Sequence, residues 1–174
     1  SAAQMALQGY GRALLKNHIP FRLVEERHLE GLDGLKILFL PRVEVADGPL
    51  AARLSEWVRN GGTLVCDPET GAYDGAGIYR YPGERFTAKL TGRVEIGRRK
   101  LEGTSLDVRF SGRDYRLPAV QWLQPLGKRA GEKDGEPLVV TSVGKGRVVQ
   151  IASYTADPYL DSDLCGSPAW MEMA

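Results

Sequence analysis

The segment from Asp47 to Pro68, DGPLAARLSEWVRNGGTLVCDP, constrains the fold of this chain more than any other stretch. Asp47 can accept hydrogen bonds from the free amides that open a helix, and Pro49 fits the first turn, where no amide hydrogen is needed. Leucine, tryptophan and valine then recur at positions 50, 54, 57 and 58, which is the spacing of one helical face. The pattern predicts a helix that ends near Gly61, because glycine suits the left-handed backbone that closes helices.

A strand should follow this helix at once. Thr63 to Cys66 is a short apolar run, as expected of a strand that is covered on both faces, and Asp67-Pro68 ends it. A helix that leads directly into a buried strand must pack on the sheet that this strand joins. The segment therefore predicts a layered α/β domain.

Further elements follow from the same rules. We predict a helix over 3–17, strands over 21–25 and 36–40, short strands over 93–96 and 106–110, and a hairpin of strands 138–143 and 147–152. The stretch 69–83, rich in glycine and tyrosine, is expected to form a long loop over the carboxyl end of the sheet. The chain from 153 to 174 is expected to be irregular, and residues 120–126 receive no assignment.

The predicted fold is one three-layer α/β domain over residues 1–174, a piece of a longer chain. Its mainly parallel sheet would be flavodoxin-like or amidotransferase-like, with a β-rich addition between about Arg93 and Ala152. In doubly wound folds a strand normally precedes the first helix and lies inside the sheet, whereas this sequence begins at the helix. We therefore expect the strand from Phe21 or from Lys36 to lie at an unprotected edge where copies of the chain associate.

Three stretches together resemble a known family. They are Leu40-Pro41, Leu54 to Val65 (LSEWVRNGGTLV) and Val143 to Ile151 (VGKGRVVQI), and they resemble the trimerisation domain of family 42 β-galactosidases. That domain belongs to the group with a class I glutamine-amidotransferase-like fold. The resemblance implies a non-catalytic accessory or oligomerisation domain of a glycoside-hydrolase-type protein. Its partners would be a catalytic domain outside this chain and further copies of the parent protein, with no cofactor or metal.

The composition of the chain limits which binding partners and which cellular compartment we expect. Lys and Arg number 23 against 22 Asp and Glu, a balance that argues against binding to nucleic acid or to an anionic membrane. No apolar run approaches the roughly 20 residues needed to cross a bilayer. The two cysteines are too few for a disulfide framework and favour a reducing compartment, so we expect a cytoplasmic protein.

The sharpest catalytic hypothesis concerns Cys66, because amidotransferase-like enzymes use a nucleophilic cysteine at the end of a strand. A thiolate needs a base within hydrogen-bond reach. The only histidines, His18 and His28, lie upstream of Cys66, and no glycine flanks it. A buried, inert cysteine is the preferred interpretation, and a small hydrolase that uses Cys66 or strand-end carboxylates is the alternative.

Polar side chains also follow the predicted strands. Arg42 and Glu44 follow the strand at 36–40, Asp67 and Glu69 follow the strand at 63–66, and Asp157 follows the strand at 147–152. All should therefore lie near the carboxyl end of the sheet, where open α/β sheets bind ligands. We predict that these five residues, together with Tyr73 of the long loop, contact a ligand or a partner. The loop tyrosines also leave open a carbohydrate-binding module, since aromatic rings dominate such surfaces.

Overall fold

The computed structural model describes residues 1–161, so the end of the segment predicted to be irregular lies outside the described residues. The helices are α1 (Ala2–Lys16), α2 (Gly48–Arg59) and α3 (Phe86–Thr91), with single 3₁₀ turns at Leu29–Leu32, Pro82–Glu84 and Asp157–Leu160. The strands are β1 (Ile37–Leu40), β2 (Thr63–Cys66), β3 (Val94–Glu95), β4 (Arg99–Lys100), β5 (Ser105–Phe110), β6 (Arg113–Pro118), β7 (Trp122–Leu123), β8 (Leu126–Gly127), β9 (Leu138–Val143) and β10 (Gly146–Ile151).

A four-stranded sheet in the order β1-β2-β10-β9 forms the centre of the domain. β1 and β10 both run parallel to β2, whereas β9 pairs antiparallel with β10 through the predicted hairpin. The mixed α/β architecture with a mainly parallel sheet is therefore confirmed.

The helix, turn and strand predicted from residue 47 onward are present. The Asp47 carboxylate accepts a hydrogen bond from the Leu50 amide (2.8 Å) at the start of α2. The helix ends at Asn60, and Gly61, with φ 123°, redirects the chain into β2. Trp57 is 7% exposed, and its indole donates to the Leu32 carbonyl (3.2 Å), which ties α2 to the 3₁₀ turn before β1.

Two hydrophobic cores lie on opposite faces of the sheet, which makes the domain three-layered. One core packs α1 and the β5–β6 hairpin against the sheet, with Tyr10, Leu117 and Ile151 among its buried members. The other packs α2 against the opposite face, with Leu54, Leu64 and Val148 buried. Successive residues of one strand point to opposite faces, so β10 supplies side chains to both cores.

The β-rich addition is built from three short strand pairings that lie between β2 and β9 in the sequence. The β5–β6 hairpin is its largest part, and two-residue strands pair β3 with β8 and β4 with β7. The predicted strands at 93–96 and 106–110 correspond to β3 and β5. Sequence analysis missed β4, β6 and α3.

The predicted strand from Phe21 to Glu25 is wrong. This segment joins no sheet, and Phe21 and Leu23 are 42% and 65% exposed. The other predicted edge is present, because among residues 1–161 β1 pairs only with β2.

Within residues 1–161, no helix combines the length and the apolar character needed to cross a membrane.

Candidate functional site

The carboxyl ends of three strands bring together Arg42, Asp67 and Asp157. The Arg42 amide follows β1 and donates to the Asp67 carboxylate, which directly follows β2, at 3.1 Å. The Arg42 guanidinium forms an ion pair with Asp157, beyond β10, at 2.7 Å. Three of the predicted site residues therefore form one buried group, which we call the strand-end cluster.

Arg42 is the centre of this cluster. Its side chain is 5% exposed, its guanidinium lies 3.5 Å from the centre of the Tyr154 ring, and it also donates to the Gln121 side chain at 3.1 Å. Three residues of this region, Arg42, Glu69 and Gln121, adopt left-handed backbone angles with φ between 49° and 71°. Such conformations cost on the order of 1 kcal/mol or more each in non-glycine residues, so the surrounding contacts must hold them in place.

Asp67 lies at the bottom of the cluster and is 3% exposed. The Tyr10 hydroxyl of α1 donates to its carboxylate at 2.9 Å. Burial raises the pKa of Asp67 to about 7, although the hydrogen bonds from Tyr10 and from the Arg42 amide oppose this rise. Burial therefore disfavours the charged form of this carboxyl group.

Glu69 forms an outer layer over the cluster. It accepts a hydrogen bond from the Tyr154 hydroxyl (3.2 Å) and pairs with Arg98 (3.3 Å), whose guanidinium stacks over Trp122 at 4.5 Å. Burial, reinforced by the negative charge of Glu69, raises the pKa of Tyr154. The phenol stays protonated and acts as a hydrogen-bond donor.

The two remaining predicted residues lie outside the cluster. Glu44 makes backbone hydrogen bonds, and its carbonyl accepts from the Tyr73 amide at 2.9 Å. Tyr73 belongs to a row of three rings, Tyr73, Tyr79 and Tyr81, which we call the tyrosine ladder. Its ring centres are 5.5 Å and 5.7 Å apart, and the planes are inclined at 69° and 83°.

The contacts of the strand-end cluster are those of a buried structural network that holds the ends of the strands together. Asp67 and Asp157 are both buried and both held by hydrogen bonds from within the chain. Cys66 is 2% exposed, and burial together with the adjacent Asp67 charge raises the pKa of its thiol. His28 makes its contact with Glu30 at the surface. Within residues 1–161, no group of three potential metal ligands comes together.

Sequence reasoning missed three residues that contact the strand-end cluster, namely Tyr10, Gln121 and Tyr154. Tyr154 follows β10 as Asp157 does, so the strand-end rule would have found it. Tyr10 lies on the apolar face of α1, where a core position is the ordinary interpretation of an aromatic ring. Gln121 comes from the β-rich addition, and no local signal in the sequence points to it.

A sequence profile described as the β-galactosidase trimerisation domain matches residues 2–166, nearly the whole chain. The chain belongs to this family. The residues that carry the family pattern, in α2, β2 and the β9–β10 hairpin, are those that build the central sheet and one of its cores. Family membership therefore agrees with the fold described above.

Solved structures with the same fold include several β-galactosidases. Gan42B, a GH42 β-galactosidase from G. stearothermophilus, matches 90% of this chain at 23% identity with a TM-score of 0.70. The β-galactosidase from Bacillus circulans sp. alkalophilus matches 97% of it at 15% identity with a TM-score of 0.76. The enzyme from Rahnella sp. R3 also matches 97%, at 16% identity with a TM-score of 0.72.

This chain spans only about a quarter of those enzymes, namely 24%, 26% and 27% of their lengths. At these identities the likeness concerns the fold alone. One match covers most of the other protein as well. It is the cytoplasmic protein STM1381 from Salmonella typhimurium LT2, of which 84% is covered at 12% identity with a TM-score of 0.58. No curated protein matches the sequence significantly.

Proposed function

We propose that this chain is the non-catalytic oligomerisation domain of a cytoplasmic β-galactosidase-like parent, and that it holds copies of the parent in a trimer. The observation that carries this proposal is the family match over residues 2–166. The catalytic residues would belong to a separate domain of the parent, as would the sugar-binding site.

The chemistry of the strand-end cluster supports a non-catalytic role. A catalytic carboxylate must reach its substrate, whereas Asp67 and Asp157 are 3% and 8% exposed. A nucleophilic cysteine needs a lowered pKa, whereas burial moves that of Cys66 in the opposite direction. The alternative of a small hydrolase therefore lacks both its acid–base pair and its nucleophile.

The test uses the full-length parent. We expect sedimentation equilibrium to give a trimer, and we expect hydrolysis of a chromogenic β-galactoside. In a Cys165→Ser background, Cys66 of the folded protein should react with iodoacetamide at least about tenfold more slowly than a free thiol, because burial blocks access and disfavours the thiolate.

The Cys66→Ala variant should keep the wild-type kcat/KM and remain trimeric. A loss of activity of about a hundredfold or more in a folded Cys66→Ala variant would restore the hydrolase alternative. A parent that stays monomeric at micromolar concentration would refute the oligomerisation role.

A further inference from the structure

The tyrosine ladder exposes much of its ring surface to solvent. Tyr79 and Tyr81 are 44% and 71% exposed, and Val45, which lies opposite Tyr73, is 51% exposed. Val45 pairs with Tyr73 in a single parallel bridge and Tyr73 with Tyr79 in an antiparallel one. Directly opposed residues place their side chains on the same face, so Val45 extends the row of rings.

The loop that carries the ladder is held rigidly. The buried Arg85 donates to the Tyr79 hydroxyl at 2.9 Å and forms an ion pair with Glu95 at 2.7 Å. The Asp74 carboxylate accepts from the amides of Ala76 and Ile78, both at 2.9 Å, which fixes the turn between Tyr73 and Tyr79. Rigid aromatic rings lose little entropy on binding, which is why they are enriched among the residues that dominate protein interfaces.

From this geometry we infer that the tyrosine ladder, extended by Val45, is the surface through which this domain contacts a second copy of its parent. The inference rests on the proposed function and names the contact that the trimer would use. In a closed three-fold ring each interface joins two different surfaces of adjacent copies, so the ladder need not match itself.

The exposed area agrees with a protein partner. On a scale of about 150–250 Å² for a whole aromatic side chain, the exposed parts of Tyr79 and Tyr81 amount to roughly 230 Å². These two side chains alone would supply about a quarter of the roughly 800 Å² that each partner contributes to a standard interface.

The ring orientation argues against a sugar chain as the occupant. Successive rings are nearly perpendicular, with interplanar angles of 69° and 83°. They form no continuous flat platform, which a row of stacked sugar rings would require. They do form alternating faces and edges, which fit the irregular apolar side chains of a protein surface.

The test is Tyr81→Ala in the full-length parent. Since the Tyr81 ring is largely exposed, the variant should keep the wild-type melting temperature and circular dichroism. We expect its trimer dissociation constant, measured by sedimentation velocity over a dilution series, to rise at least about tenfold. Trp122→Ala is the control, because it removes an exposed aromatic ring of the β-rich addition and should leave the trimer unchanged.

A second measurement identifies the partner directly. A photo-crosslinking amino acid at position 81 should join two copies of the parent. An unchanged dissociation constant in a trimeric Tyr81→Ala variant, or crosslinks only within one copy, would overturn the inference while leaving the proposed function intact. A wild-type parent that never forms trimers would refute both.

Discussion

At the scale of single residues, the molecule places a carboxyl group where its charge is disfavoured. Asp67 is buried between α1 and the loop after β1, and it receives hydrogen bonds from both. Its raised pKa means that the folded chain binds a proton more tightly than the unfolded chain does. This contribution to stability is complete below the unfolded pKa of roughly 4 and is lost as the pH rises through about 7.

We therefore predict a pH-dependent difference between the wild type and Asp67→Asn. Relative to the variant, the wild-type free energy of unfolding should increase by about 2–3 kcal/mol when the pH falls from 8 to 5. Urea unfolding at both pH values measures it. Asp107→Asn is the control, because the Arg116 partner lowers the pKa of the exposed Asp107, so this carboxylate stays ionised in the folded and the unfolded chain between pH 5 and 8 and should give no pH-dependent difference. A pH-independent difference for Asp67→Asn would mean that Asp67 is ionised throughout.

At the scale of elements, the two glycines of α1 differ in their surroundings: Gly9 lies in a close backbone contact, whereas Gly11 does not. A Cβ atom on Gly9 would lie 2.0 Å from the Ala156 carbonyl oxygen, so α1 crosses the chain after β10 in backbone contact. A Cβ atom on Gly11 would meet only the Phe21 ring, at an ordinary 3.7 Å. Two glycines that look alike in the sequence therefore have opposite consequences.

The matched pair Gly9→Ala and Gly11→Ala tests this difference. Gly9→Ala should destabilise the domain by about 2 kcal/mol or more, because the backbone contact must open. Gly11→Ala should stabilise it by about 0.5–1 kcal/mol through the higher helix propensity of alanine. Thermal or urea unfolding of both variants measures these changes, and equal effects of the two substitutions would contradict the crossing.

The elements that the sequence predicts correctly are those with strong local signals. The signals for α2, β2 and the β9–β10 hairpin are local: a cap, an apolar spacing and glycines in a turn. β6 was missed although Ser111-Gly112, with φ of 49° and 80°, is a short turn of the kind that follows a strand such as β5. The failed strand at 21–25 has strand-like residues, and only its surroundings decide whether a partner strand lies beside it.

The residues of the candidate site also fall into those that the sequence could place and those that it could not. Arg42, Asp67 and Asp157 could be placed together because parallel strands end at one edge of a sheet. The contacts from Tyr10 and Gln121 could not, because they depend on how α1 and the β-rich addition dock. Docking is decided by packing between segments that are distant in the sequence.

At the scale of the whole molecule, β1 is an edge of the central sheet within the part of the chain described here. The Lys36 carbonyl accepts from the Thr63 amide of β2 at 2.8 Å, so the amide of the next residue, Ile37, faces away from β2. Edges of this kind attract further strands.

We predict that association of the chain protects this edge. Hydrogen exchange at the Ile37 amide should slow at least about tenfold between dilute and concentrated protein, whereas exchange at the Val148 amide, in the middle of the sheet, should not change. Exchange at Ile37 that is independent of concentration would place the association elsewhere on the molecule.

The pairing of β2 with β10 joins residues that are 84 positions apart, as the contact between Thr63 and Arg147 shows. Because the ribosome synthesises the chain from its amino end, β10, the second neighbour of β2, is made only after the whole β-rich addition. During that interval the β-rich addition can fold locally, since β5 and β6 are joined by a tight turn. Long-range pairing of this kind folds slowly, and the nascent domain would keep the apolar strand β2 without its second neighbour until β10 emerges.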